Sequence, residues 1–442
     1  MVSVQATLAA LSRHRLLKEG AWVTFGQVGS ALGALVGLRL LTEYLEPAVF
    51  GFAMLLLGVV ALGQGLAVNP LMQAVLRYYP EFASAGRVQI FRAVTVRIFR
   101  SITVCVSLLL CLGAFAHAAV TGSWIWFGLV VLIAAIFAIE GARSLELTLL
   151  NAARKQRPMA LWSVAEAWAR PVAVVAAVVF LTTQVSAVLI GYLIASVAIF
   201  LLFLPVVVRK DDSMGEGRQG NVVGSIRHNL WSYALPLLPV AAAGWVSGLA
   251  DRYVVGGVLG LAQAGSYAAV YALMSRPFLM LSAIIEQTLR PVYYDAVAAG
   301  DSKRPRTVLR TWLVLTALCG GIGFVLVLLL HEQIASLLLA ESYRYSARLM
   351  PWIAGGYWLL ILSHVFTRVC YAHHDTKSVL VIESVGAVLS LGLLFPLVSA
   401  YGVIGAAGAV PLYYGAQLVT AFLLSRRYKE PGHPYGGQGV PI

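Results

Sequence analysis

Two carboxylates and two guanidiniums stand close together in stretches of this chain that otherwise suit only hydrocarbon. In "VAEAWARPVAVV" (164–175) Glu166 and Arg170 are four residues apart, and in "IEGARSLE" (139–146) Glu140, Arg143 and Glu146 are spaced by three. On a helix, residues three and four apart share a face, so each set is an ion pair or a stacked row of charge. The second half of the chain repeats the theme with Glu286 and Arg290, four apart, and with Arg276, Arg368 and Glu383 standing singly. Guanidinium forks hold phosphate oxygens through paired, charge-assisted hydrogen bonds. A carboxylate beside a hydrated cavity can carry a proton or hold a small cation. Binding of an anion and coupling to an ion are therefore the chemistries these residues suit.

The elements that must position them are lipid-crossing helices. Of 442 residues, 60% are hydrophobic and 12% charged, with a mean hydropathy of +0.83, against about 25% charged in soluble domains. Runs such as "IWFGLVVLIAAIFAI" are continuous rather than alternating, which suits helices and excludes a β-barrel. Twelve spans are expected near 20–41, 50–76, 97–119, 124–149, 160–182, 185–208, 230–256, 262–294, 308–330, 344–371, 378–398 and 402–425. The first is too long for the apolar core of a cleaved signal. The ten charges away from the outer ends of these spans would cost roughly 25–35 kcal/mol if they faced lipid. That exceeds the total stability of a protein, about 5–15 kcal/mol, so they must face water, one another or a ligand, and a shared hydrated cavity is expected. Arg170-Pro171 and Arg276-Pro277 are its strongest members, because a proline frees a backbone carbonyl and bends the helix towards such a cavity.

The net charge of +13 is topological. Twenty-five of the 32 Lys and Arg residues fall in or beside alternate connections, and four (Arg39, Arg252, Arg344 and Arg348) in the intervening ones. This is the positive-inside pattern; it places both termini in the cytoplasm and needs no nucleic acid. The fold class is thus an all-α polytopic membrane protein of about twelve transmembrane helices. A Gly-rich charged connector, 209–229, divides an N-terminal six-helix lobe, 1–208, from a C-terminal one, 230–428, and the tail 429–442 is expected to be disordered. A repeat supports the division. "LEPAVFGFAMLLLGVV" (45–60) resembles "LGLAQAGSYAAVYALM" (259–274), aligning Gly51 with Gly265 at an offset of 214, and Tyr78-Tyr79 aligns with Tyr293-Tyr294 at 215. Copies six spans apart run in the same direction, and two such lobes would flank a cleft.

Smaller features have plainer readings. Gly29, Gly33 and Gly37 form a small-residue ladder on the first span, expected to pack within the chain. The segment "HEQIASLLLAESY" (331–343) is too short to cross and is expected at the outer interface. Cys105, Cys111, Cys319 and Cys370 lack metal-ligand spacing and are read as small packing residues. Of the aromatic side chains Trp162, Trp168, Trp231, Trp245, Tyr267, Tyr271, Trp352, Tyr357 and Trp358, some could stack on sugar faces, although core or interfacial roles are the commoner ones.

Three stretches carry a family resemblance. "LRLLTEYLEPAVFGFAML", "ADRYVVGGVLGLAQAGSYAAVYAL" (with Asp251, Arg252, Gly260, Gly265 and Tyr267) and "LLLAESYRYSARLMPWI" resemble segments of the Wzx-type polysaccharide flippases, within the multidrug/oligosaccharidyl-lipid/polysaccharide exporter superfamily. The resemblance covers nearly the whole chain. It implies a MATE-like V of two six-helix lobes in a bacterial inner membrane. It also implies a non-enzymatic flippase that moves an undecaprenyl-pyrophosphate-linked oligosaccharide, an O-antigen or exopolysaccharide repeat unit, by alternating access.

On this reading the pyrophosphate or glycan would meet Arg143, Arg170, Arg276, Arg290, Arg368, Arg39 and Arg252. Glu140, Glu166, Glu286 and Glu383 are the candidates for carrying a coupling ion, H+ or Na+. There is no G-x-x-x-x-G-K-[ST] motif to bind a nucleotide, and no metal or other cofactor is expected. The implied partners are the lipid-linked glycan, membrane lipid, a polysaccharide polymerase and a chain-length regulator, with the protein itself a monomer. Two alternatives stay open, a drug or metabolite exporter of the same superfamily and a membrane glycosyltransferase or polymerase using a polyprenyl-linked donor. A lipid II flippase is disfavoured, since those usually carry two further helices.

Overall fold

The computed structural model describes residues 2–207, 220–299, 303–373 and 375–429. Among them all regular structure is helical. In chain order the long helices are α1 Val2–Tyr44, α2 Pro47–Ser84, α3 Val88–Thr121, α4 Trp124–Ala152, α5 Gln156–Phe180 and α6 Val185–Val207. They continue with α7 Val222–Leu259, α8 Leu261–Ala298, α9 Arg304–Leu338 and α10 Glu341–Ala372. The last, Thr376–Ser425, holds two spans, α11 (376–401) and α12 (403–425), which meet at Gly402 with φ of +61° and ψ of −144°. An L side chain rarely adopts that backbone. Eleven helices are long and apolar enough to cross a membrane; with the last divided at Gly402, the twelve expected spans are all present.

Two segments depart from expectation. Residues 331–338 continue α9 instead of forming a separate interfacial piece, because nothing in "HEQIASLL" stops a helix; the break comes at Leu339, which turns extended. Residues 341–349 then form the short outer turn at the start of α10. Within α2, residues Gln64–Val68 form one π-helical turn between two α-helical stretches.

The described chain groups into two compact units, Met1–Tyr44 with Leu56–Ala241, and Leu45–Leu55 with Ala242–Ile442. These bounds differ from the lobe ends read off the sequence. Residues 220–229 of the expected connector are helical, in a segment that packs against α2 and α3 and so belongs with the first unit. Residues 209–219, and all of the expected tail beyond Lys429, lie outside the described residues. In the first unit α5 lies between α1 and α6, and α4 packs on α3 and α6. In the second, α10 packs against α8, α9 and the α11–α12 pair.

Glycine spacing sets two of these contacts. A Cβ on Gly26, Gly29 or Gly33 would come within 2.9 Å of Ala160, Val164 or Trp168, and one on Gly37 within 2.2 Å of Pro171. The ladder on α1 thus lies on α5, where Trp168 Nε1 also donates to the Gly29 carbonyl at 3.1 Å. The expected packing within the chain is what forms, and Pro171, a buried residue of an unbroken helix, is one of its contact points. The second contact joins the two repeats. A Cβ on Gly51 would lie 2.2 Å from the Leu261 carbonyl oxygen, and one on Gly265 would lie 1.9 Å from that of Pro47. Gly51 and Gly265, and likewise Pro47 and Leu261, are separated by the repeat offset of 214, so the two copies cross backbone to backbone through equivalent glycines.

Of the cysteines only Cys370 is buried; Cys105 and Cys319 are exposed, which corrects their reading as packing residues. Trp162, Tyr267, Tyr271 and Tyr357 are core residues, whereas Trp168 and Trp352 remain 44% and 48% exposed.

Gly33→Leu and Gly37→Val should each lower the thermal midpoint in detergent, at a cost of about 1–3 kcal/mol from overpacking. Gly128→Ala, with nothing within 4 Å of the added carbon, should leave it unchanged or raise it.

Candidate functional site

The charges on α4 and α5 close into a ring. Glu140 lies twelve residues from the end of α4 and Glu166 ten residues into α5, or about 15–18 Å at 1.5 Å per residue, near the middle of a hydrocarbon layer about 30 Å thick. Arg143 Nη2 is 3.0 Å from Glu140 Oε2, and its Nη1 is 3.1 Å from Glu166 Oε2. Arg170 Nη2 donates to both Glu140 Oε1 and Glu166 Oε1. Each arginine therefore bridges both glutamates and each glutamate holds both arginines. The alternation leaves no net charge, and it answers the desolvation that would otherwise penalise each ion by several kcal/mol.

α6 completes the ring. Ser196 Oγ donates to Glu140 Oε1 at 3.0 Å, and the Arg170 guanidinium lies 4.3 Å from the Tyr192 ring centroid, a cation–π contact. Tyr192 and Ser196, four apart in an uncharged span, carry no ionic signal in the sequence; only their shared helix face hints at a role. Further along α4, Glu146 is held by Arg92 of α3 at 2.7 Å.

The members differ in reach. The side chains of Arg143 and Arg170 keep 24% and 21% exposure, while those of Glu140 and Glu166 keep 8% and 6%. A group approaching the ring meets the arginines first.

The second unit holds a smaller cluster. Arg290 Nη1 lies 2.8 Å from Glu286 Oε1, and Arg368 Nε of α10 lies 3.0 Å from the same oxygen. Glu383 on α11 has a different setting. It faces the Gln417 side chain of α12, and the cation acting on it, Arg368, is already engaged by Glu286. Among the described residues it is the one candidate coupling carboxylate without an ion pair.

The ten intramembrane charges are thus divided between the units, and most are matched locally by the i,i+3 and i,i+4 pairs legible in the sequence. The remaining arginines have other settings. Arg39 pairs with Glu43 at 2.9 Å on an outer turn of α1. The Arg252 guanidinium sits 4.4 Å from the Tyr271 ring centroid, beside a buried Asp251 that accepts from Tyr267 Oη at 2.7 Å. Arg276 is exposed on α8, ten residues before Glu286.

Residues 16–297, more than half the chain, match the family described as polysaccharide biosynthesis protein, and residues 236–395 match MatE. Among solved structures, the lipid II flippase MurJ in an inward closed conformation is similar at a TM-score of 0.66 and 12% identity, over 93% of this chain and 87% of that one. A mutant of the Vibrio cholerae MATE transporter VcmN is similar at 0.66 and 13%, over 94% and 96%. A MOP superfamily transporter from Pyrococcus furiosus is similar at 0.62 and 14%, over 91% and 95%. At these identities the structures establish a shared fold. A comparison with curated protein sequences returned no match.

Glu140→Ala would leave two arginines sharing one carboxylate and should cost about 3–5 kcal/mol in detergent unfolding. Ser196→Ala, which removes one hydrogen bond from a group that keeps its other partners, should cost about 1 kcal/mol.

Proposed function

The chain belongs to the polysaccharide biosynthesis protein family, within the multidrug/oligosaccharidyl-lipid/polysaccharide exporter superfamily, and from that premise we propose that it is a flippase for a polyprenyl-pyrophosphate-linked oligosaccharide in a bacterial inner membrane. The observation that carries the choice of cargo is the order of exposure in the ring on α4 and α5, where both arginines are more reachable than both glutamates. A pyrophosphate offers paired oxygens that suit two guanidinium forks. A cationic drug would meet those same arginines first, at an electrostatic cost. The matched MatE segment and the fold keep a drug or metabolite exporter as the second reading. Enzymatic chemistry has little to rest on, since the ring is locked in mutual ion pairs and belongs to transmembrane helices.

Transport needs a driving force. Glu140, Glu166 and Glu286 are each tied to two arginines. Glu383, beside Gln417, has no ion pair among the described residues, so we assign the coupling ion, a proton or sodium, to Glu383. The polymerase and chain-length regulator implied by the resemblance would act on the product after the flip, with the flippase working as a monomer.

Arg143→Ala and Arg170→Ala should each reduce glycan export in complemented cells at least tenfold, with the variant still present in the membrane, and Lys at either position should restore part of it. Normal export by both Ala variants would remove the ring from the cargo path. In sealed vesicles Glu383→Gln should abolish the dependence of transport on an imposed pH or sodium gradient.

A further inference from the structure

A further carboxylate of the second unit shares the isolation of Glu383. Asp251 is 1% exposed and makes no ion pair among the described residues. Its oxygens accept from the Arg252 backbone N–H at 2.8 Å and from Tyr267 Oη at 2.7 Å, while the Arg252 guanidinium lies over the Tyr271 ring. Asp251 stands eight residues before the outer end of α7 at Leu259, or about 12 Å in at 1.5 Å per residue. Glu383 stands seven residues after the inner end of α11 at Thr376, or about 10 Å in. In a layer about 30 Å thick, one carboxylate occupies the outer half of the unit and the other the inner half.

A seam of tyrosines fills the interval. Tyr267 and Tyr271 are one turn apart on α8, with ring centroids 5.7 Å apart. Tyr357 of α10 stands edge-on to Tyr271 at 5.4 Å and to Tyr414 of α12 at 5.7 Å. Tyr414 Oη donates to the carbonyl of Ser247, one turn before Asp251, at 3.3 Å. Gln417 follows on the same face of α12 and fills the space that Gly386 leaves on α11, where a Cβ would lie 2.7 Å from Gln417 Oε1. Glu383, three residues before Gly386, faces that amide.

The seam carries polar atoms without partners. Tyr271 Oη, Tyr413 Oη and both amide atoms of Gln417 have no hydrogen-bond partner among the described residues, on residues at most 1% exposed. Burying such groups is costly unless they are bonded, and ordered water is their usual partner. A tyrosine hydroxyl both donates and accepts, so a row of them interleaved with water passes a proton by exchange. A sodium ion has no such exchange.

We propose that Asp251 carries a proton in series with Glu383, and that the tyrosine seam relays it between them. Each hydroxyl takes one proton on its oxygen and gives up its own, and Gln417 holds the last water in line. The net change is one O–H bond broken at Asp251 and one formed at Glu383, with no electron transferred. The other groups facing the two ends are few. At Asp251 they are Arg252 and the hydroxyls of Tyr357, Tyr413 and Tyr414; residues 47–55 of α2, in the same unit, carry no ionisable side chain. At Glu383 they are Arg368, held by Glu286, and His364 beside that pair. The inference rests on the reading that Glu383 holds the coupling ion. It names that ion as a proton and gives it an earlier stop nearer the outer face.

The test uses inside-out vesicles from cells that make the lipid-linked glycan, with the full-length protein or a variant at matched amount. The readout is the ratio of glycan delivered to the lumen with and without an imposed acid-inside pH gradient. A residue that matters only for packing lowers both rates and leaves the ratio as it was. Wild-type transport should be stimulated by the pH gradient and not by a sodium gradient, and Asp251→Asn should remove the stimulation. Tyr271→Phe and Tyr357→Phe, which keep the rings, should each reduce the gradient-driven part of the rate at least about tenfold. If Asp251→Asn does not reach the membrane, the two tyrosine variants decide. Loss of stimulation in Glu383→Gln, with a wild-type ratio in Asp251→Asn or in both tyrosine variants, would overturn the relay and leave Glu383 as the coupling site. Stimulation by sodium alone, lost in Glu383→Gln, would do the same. A wild-type ratio in Glu383→Gln, or stimulation of the wild type by neither gradient, would overturn both.

Discussion

An ion in hydrocarbon must be matched or hydrated, and this requirement organises the first unit. Glu140, Arg143, Glu166 and Arg170 each carry a full charge near the middle of a lipid-crossing helix, where water cannot be assumed. Their ring satisfies every carboxylate with two guanidiniums and every guanidinium with two carboxylates. Such a closed set demands fixed positions. α4 and α5 must be held in register, α6 must bring Tyr192 and Ser196 to the same level, and the glycine ladder of α1 must brace α5 from the other side. The apolar contacts supply close packing; the ring makes one particular register the favourable one.

The two repeats share a framework and differ in charge. Their backbones meet through Gly51 and Gly265, with Pro47 and Leu261 in matching positions, and this contact tolerates no side chain on either copy. The ionic groups follow no such rule. α4 and α5 carry the four-membered ring, whereas the corresponding helices α10 and α11 carry Arg368, bound to Glu286 of α8, and a Glu383 that pairs with no arginine among the described residues. A duplicated scaffold with unlike charges suits a transporter in which one unit receives an anion and the other an ion of different chemistry.

The ring's arginines are tied to both glutamates yet not used up. Arg170 is engaged through Nη2, and its Nε has no hydrogen-bond partner among the described residues. Paired phosphate oxygens match such a guanidinium better than a sugar hydroxyl does. The mutual ion pairs hold the charges together and keep bare guanidiniums from lipid.

Much of this was legible in the residues. Continuous apolar runs required helices, the distribution of Lys and Arg gave their sidedness, and the spacings 166/170, 140/143 and 286/290 announced pairs, because helix periodicity is a local property of the chain. The offset between Gly51 and Gly265 marked the repeat. What the spacing could not contain was the joining of the pair on α4 to the pair on α5, the part played by the uncharged Tyr192 and Ser196, the engagement of Arg368 by Glu286, or the isolation of Glu383. Those depend on which helix faces meet, which is decided by packing between segments far apart in the chain. Local order came from the sequence because backbone geometry repeats every 3.6 residues; the choice of ionic partners came from the tertiary fold because only close packing in three dimensions fixes distances between helices.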